Sequence, residues 1–344
     1  MFKFLTLMIS LSVVACGGDD SSGSAGDAGA GAGSSGSAGS GSSASGGSSG
    51  VSGSAGAGAA NTGGAANTGG AANTGGAANT GGAANTGGSS AGSSPKAQYV
   101  PKPVGKCPEF TGAEITLQPA QGARKVKLWI SDAAKTMDGP LVFYWHGWHG
   151  SPGAGGISSA ARTQLLAMGG MLIAPYIDAA DEDEYWDMDD VLMADEVVAC
   201  AIEKVGIDQR RIYSTGLSAG GWQTLHFAYK RSGYVAAAVA YSAGTNGGLS
   251  AVPQDPTGKF AALLSHGGSS EPAIYQKLAE GYFDGLTKGG HFVAMCQHTN
   301  GHSAPAAMRD VAFDFLMAHP FGTAPSPFAG GLPATFPAYC GLTK

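Results

Sequence analysis

Two kinds of apolar pattern alternate along the chain from about residue 125 to residue 318. Short runs rich in β-branched and aromatic residues at 125–131, 140–145, 171–175, 211–215, 235–241, 260–265 and 292–296 read as strands. Between them, apolar positions recur at helical spacing over 158–168, 191–205, 219–231, 272–287 and 306–318. Strands joined by helices of this length need crossover connections, which predicts a mostly parallel central sheet flanked by helices. Ligands of such sheets bind at the carboxyl ends of the strands, so the residues just after each strand are the candidates for chemistry.

Neither pattern reaches into the N-terminal part of the chain. From 17 to 94 the only charged residues are Asp19, Asp20 and Asp27, no aromatic occurs, and Val51 is the one large aliphatic residue. Such a segment buries too little apolar surface to offset the entropy of ordering it, so residues 17–95 are expected to be a disordered tether. Within it Ala-Ala-Asn-Thr-Gly-Gly repeats five times over 59–88. A β-solenoid of this period needs a large aliphatic residue in each turn, which alanine and threonine do not supply. A flexible chain of this length has a root-mean-square reach of about 50 Å. Ahead of it, a weakly basic start, an apolar run over 4–14 and the sequence Val13-Val14-Ala15-Cys16 look like a bacterial lipoprotein signal spanning residues 1–16. That resemblance implies cleavage before Cys16, acylation at Cys16 and a membrane anchor, each buried methylene contributing about 0.8 kcal/mol. An ordinary secretory signal cut nearby would leave a soluble product, and both readings place the protein outside the cytoplasm.

Residues 96–344 suffice for one α/β domain with a buried core. A formal net charge of −6, with no run rich in lysine or arginine, leaves no electrostatic footprint for nucleic acid. No second hydrophobic run is long enough to cross a membrane, and a monomer is expected. After Cys16, the cysteines Cys107, Cys200, Cys296 and Cys340 remain. An even number in an exported domain predicts two disulfides, with three pairings open.

The run 211–215 leads directly into Gly216-Leu217-Ser218-Ala219-Gly220, and a helical pattern follows. Strand, G-x-S-x-G and helix in that order form a nucleophile elbow, a turn so tight that glycines must flank the serine, which then stands exposed at the top of the sheet. Chance occurrence is the competing reading in a chain with 58 glycines, but this motif lies far from the low-complexity region. Acyl transfer also needs N–H groups aimed at an oxyanion. The strand 141–145 runs into His146-Gly147-Trp148-His149-Gly150, and the Trp148 and Ala219 amides are assigned that role.

The base is expected later in the chain, because the order in this architecture is serine, acid, histidine. Among His266, His291, His298 and His302, the last is preferred: it lies in Thr299-Asn300-Gly301-His302-Ser303-Ala304-Pro305, between the last strand and the final helix. For the acid, Glu271 is the only carboxylate in the loop after the strand 260–265, with Asp284 and Asp255 as fallbacks. Glu271 beside Pro272 is equally read as an acidic residue favouring a helix start. His146 and His149 have no matching carboxylate or cysteine cluster nearby, and Cys296, beside His298 and His302, is expected to be oxidised in an exported domain, so no metal site is assigned. Trp148, His149 and Trp186, in loops, are the expected substrate contacts; Tyr185 is a further cleft candidate, and Trp222 reads as packing.

From about residue 140 to 320 the chain resembles the secreted polyhydroxybutyrate depolymerase and feruloyl esterase group of α/β hydrolases. The residues that carry the resemblance are His146-Gly147, Asp189-Asp190-Val191, Ile207-Asp208-Gln209-Arg210-Arg211-Ile212-Tyr213 leading to Gly216-Leu217-Ser218-Ala219-Gly220-Gly221, and Asn300-Gly301-His302. The resemblance implies the α/β-hydrolase fold and a serine esterase without cofactor, acting on polyhydroxyalkanoate-type polyester or on feruloyl or acetyl esters of plant polysaccharide. The family commonly carries an aspartate soon after the His-Gly that matches His266-Gly267, where this chain has Glu271. It also commonly has Gly-His-x-Trp-Pro, where this chain has Gly301-His302-Ser303-Ala304-Pro305 and no aromatic. A surface binding protein that keeps the hydrolase scaffold without activity is the alternative, and the presence of both Ser218 and His302 favours the enzyme.

Overall fold

The computed structural model describes residues 100–177, 185–245 and 258–344. The signal, Cys16, the tether and the fallback acid Asp255 lie outside the described residues. Nine strands form one sheet among the described residues: β1 (Glu114–Leu117), β2 (Arg124–Trp129), β3 (Leu141–Trp145), β4 (Met171–Pro175), β5 (Ile212–Leu217), β6 (Val235–Tyr241), β7 (Ala261–His266), β8 (Phe292–Gln297) and β9 (Cys340–Gly341). Their spatial order is β1-β2-β4-β3-β5-β6-β7-β8-β9. From β4 through β8 neighbouring strands are parallel, while β1, β2 and β9 pair antiparallel at the two edges.

The central strands are apolar along their whole length because helices cover both faces, as parallel sheets require. Leu141–Trp145, Met171–Pro175 and Val235–Tyr241 are buried at every position. One face is covered by α1 (Ser159–Ala167) and α5 (Ala306–Ala318), which pack Leu165, Met308 and Phe315 against Val142, Tyr144 and Val239. The other carries α2 (Met188–Lys204), α3 (Ala219–Lys230) and α4 (Ala273–Lys288), which pack Val197, Phe227 and Leu286 against Phe143, Trp145 and Leu264.

Helix α2 starts three residues before its apolar periodicity does. Asp187 caps it, accepting from the Asp189 and Asp190 N–H groups while the Asp190 carboxylate accepts from the Asp187 N–H. This reciprocal cap is polar, so an apolar pattern beginning at Val191 does not register it. Strands β1 and β9 also escape the pattern, the first having only four residues and the second only two.

Disulfides join Cys107 to Cys200 on α2, and Cys296 on β8 to Cys340 on β9. Bonds of this kind typically contribute ~2–4 kcal/mol. Strand register brings the carboxyl ends level: Trp145 faces Gly216, Leu217 faces Tyr241, Tyr241 faces Ser265, and His266 faces Gln297. The chain leaves β3 for β4 on one side and then places β5 on the other, so a crevice opens between the ends of β3 and β5.

Candidate active site

Ser218 is the single residue between β5 and α3, with φ 59° and ψ −119°. A non-glycine residue seldom holds such a backbone, and it persists only where the surroundings enforce it. Here the enforcement is visible: the Ser218 N–H donates to Tyr241 O at 2.9 Å, and its carbonyl accepts from Gly244 N–H at 2.8 Å and Trp222 N–H at 3.0 Å. The flanking glycines are required by close approach, since a Cβ on Gly216 would lie 2.2 Å from Gly220 O and one on Gly220 would lie 2.0 Å from Trp145 O. Ala219 then opens α3, where the first N–H groups have no partner within the helix and carry its positive end.

The loop after β3 lies against this elbow. A Cβ on Gly147 would stand 3.5 Å from both Leu217 O and Ser218 Cβ, so this loop passes directly beside Ser218. The Gly150 N–H donates to Gly147 O at 2.8 Å, and His149 takes φ 54° to close the turn. Trp148 is 55% exposed, with its ring centroid 4.1 Å from that of His149. His146 points inward, 2.9 Å from Gly147 O through Nδ1. Burial depresses its basicity below the ordinary histidine value, and the Gly147 carbonyl only partly offsets this.

Trp186 corrects one expectation. Loop placement suggested a substrate contact, but its side chain is fully buried. Its Nε1–H donates to His146 O at 2.8 Å, and its ring meets Trp145 and His146 edge-on at 5.1 and 4.8 Å. It supports the loop after β3 from below. Tyr185, next to it, lies 6.2 Å from Trp222 and donates its hydroxyl to Thr245 O.

His302 and Glu271 meet although they are 31 residues apart: the Nδ1–H donates to Oε2 at 3.0 Å. The other carboxylate oxygen accepts from the Gly267 N–H at 2.6 Å. Burial alone would raise the Glu271 carboxyl, and the hydrogen bonds from His302 and Gly267 more than reverse this, holding it below the ordinary glutamate value. The two loops fit closely because Gly267 carries no Cβ; one there would lie 2.4 Å from Gly301 O. Among the described residues Ser218 Oγ makes no hydrogen bond to His302 Nε2.

The remaining candidates lie elsewhere or are engaged. The Gly268 N–H donates to His266 Nδ1 and the Asn300 N–H to His298 Nδ1, each a buried ring supporting a turn, while His291 Nδ1 meets the backbone of Phe260, 31 residues away. Asp284 pairs on the surface with Lys344. Cys296 is held in its disulfide and offers no thiolate to a metal. Trp222 is buried, stacked at a tilt on His226. Two neighbours of the site carry no motif. Tyr282 donates its hydroxyl to Gly244 O at 2.6 Å, bracing the loop behind Ser218, and the ring of Tyr275 lies 4.1 Å from that of His302. The one sequence signal for Tyr275 is its position in the first turn after Glu271-Pro272.

No protein-family model and no curated protein sequence matches the chain. Among solved structures it is similar to native sOPH, at 18% identity over 70% of this chain and 96% of that one, with a TM-score of 0.51. It is also similar to a thermostable esterase (17% identity, 60% and 62% coverage, TM-score 0.48) and to a ferulic acid esterase (13%, 55% and 90%, TM-score 0.41). Strand order, the serine turn after β5 and the first of these likenesses together make the chain an α/β hydrolase by fold.

Proposed function

We propose that the protein is a serine carboxylic-ester hydrolase that works through an acyl-enzyme outside the cytoplasm. A fold of this kind hosts many functions, so the reading rests on its residues. The observation that carries it is a serine in an enforced, strained turn on the same strand-end rim as a histidine bonded to a buried carboxylate. In this reading Ser218 Oγ attacks the ester carbonyl and passes its proton to His302 Nε2. The Trp148 and Ala219 N–H groups receive the charge that forms on the carbonyl oxygen. His302 returns the proton to the departing alcohol, then takes one from the water that cleaves the acyl-serine bond. Glu271 keeps Nδ1 protonated and offsets the charge of the imidazolium.

The substrate class, polyhydroxyalkanoate-type polyester or feruloyl and acetyl esters, follows from the sequence resemblance. Export is supported by the two disulfides, which persist in oxidising compartments, and by Val13-Val14-Ala15-Cys16, through which a lipid anchor would hold the enzyme to the envelope. Wild type and Ser218→Ala should be compared on p-nitrophenyl esters, methyl ferulate, acetylated xylan and polyhydroxybutyrate. Hydrolysis by the wild type only, with fluorophosphonate labelling lost in Ser218→Ala at nearly unchanged thermal stability, is the expected result; activity retained in Ser218→Ala removes the nucleophile.

A further inference from the structure

We propose that Tyr275 is a positioning residue for His302, fixing the plane of the imidazole that Glu271 fixes only along one edge; this deepens the esterase reading and rests on it. A single hydrogen bond at Nδ1 leaves the ring free to tilt about that bond, carrying Nε2 away from the serine. Tyr275 closes this freedom. Its ring centroid lies 4.1 Å from that of His302, with the two planes 41° apart, so the two rings are in direct contact.

The two restraints come from one short stretch of backbone. Glu271 ends the 3-10 turn Gly268–Ser270, Pro272 caps α4, and the Tyr275 N–H donates to Pro272 O at 3.0 Å. Acid and ring are therefore carried on one hydrogen-bonded turn and keep their spacing to each other. The loop that carries His302, Gly301-His302-Ser303-Ala304-Pro305, has no aromatic side chain to hold the ring itself. When His302 is protonated during the reaction, the face of the tyrosine ring also attracts the cation, an effect that a neutral aliphatic side chain of similar bulk does not supply. The Tyr275 hydroxyl makes no hydrogen bond among the described residues, so the aromatic ring alone carries the role.

The experiment compares Tyr275→Leu and Tyr275→Phe with the wild type on one p-nitrophenyl ester. Tyr275→Leu should lower kcat by about 10-fold with KM changed less than about 2-fold, and Tyr275→Phe should keep at least about half of the wild-type kcat. A rise in KM at constant kcat, equal losses in both variants, or no loss in Tyr275→Leu overturns the proposal. Because Tyr275→Leu also tests packing, the His302 ring proton resonances are measured in parallel, assigned by their disappearance in His302→Gln. A tyrosine ring packed this close shifts them upfield, so Tyr275→Leu should move them downfield and Tyr275→Phe should not; unmoved resonances overturn the ring contact. A wild type that cleaves none of the esters instead overturns the esterase reading, and the resonances then decide the ring contact by themselves.

Discussion

Glu271 is fastened on both oxygens, one by the Gly267 amide and one by His302, and this gives it a signature in stability as well as in rate. His302→Ala should reduce kcat by a factor on the order of 10⁴ to 10⁶, and Glu271→Gln by at least ~100-fold. Asp284→Asn, at a surface pair with Lys344, should leave the rate near wild type, and a crippled Asp284→Asn would reassign the acid. The carboxyl of Glu271 is held below its ordinary value of 4.5, so its contribution to stability is complete above that pH and is lost as pH falls through the lower folded-state value. The melting-temperature gap between wild type and Glu271→Gln should therefore be constant at neutral pH and shrink below about pH 4.5; a gap that widens on acidification refutes the assignment. Residues differ in how much of this the sequence discloses. Ser218 is legible because the glycines its tight turn requires, Gly216 and Gly220, lie within two positions of it. The partner of His302 is less so: Glu271 is preferred as the only carboxylate in its loop, with Asp284 and Asp255 as fallbacks, and only the fold brings it to His302. Trp186 reads as a loop aromatic, and nothing local reports that its indole is folded under the loop after β3.

Adjacent residues on β2 show how an element's faces decide the worth of a charge. Arg124 is buried and pairs with Asp190 in the cap of α2, whereas Lys125 points to the opposite side and meets Glu114 on β1 in solvent. Arg124→Ala leaves the Asp190 carboxylate buried without its cation and should cost about 3–5 kcal/mol, measured by chemical denaturation. Lys125→Ala should shift the midpoint hardly at all, because an exposed pair is screened by water. Equal effects at the two positions would contradict the burial of this pair. The alternation of strands and helices was readable over the parallel part of the sheet because buried central strands are unbroken apolar runs. Boundaries and edges were not, since caps are polar and edge strands need only a few residues: α2 starts at Met188 by its Asp187 cap, and β1 spans four residues with alternate ones exposed.

Across the whole molecule, the covalent links and the proposed anchor share one premise, export. Cys16→Ser should release active enzyme from the membrane fraction or stall its processing, since it removes the acyl chains and nothing from the catalytic part. Thiol titration of the denatured, unreduced protein should find no free group among Cys107, Cys200, Cys296 and Cys340; wild-type protein that stays in the soluble fraction would refute the anchor and leave the hydrolase reading standing. The two bonds are not equivalent in what they guard. Cys107–Cys200 fastens a segment onto a helix, but Cys296–Cys340 holds the two-residue β9 across the outer side of β8. With β9 detached, Met295 and Cys296 on β8 lose their outer partners, which adds unpaired amides and carbonyls to a sheet edge, the kind of surface on which one chain adds to another. Cys107→Ala with Cys200→Ala should therefore give a less stable but monodisperse protein, while Cys296→Ala with Cys340→Ala should scatter light increasingly with concentration. The bond at the margin of the sheet is in this sense a colloidal safeguard, and the protein's solubility becomes a function of the redox state in which it is kept.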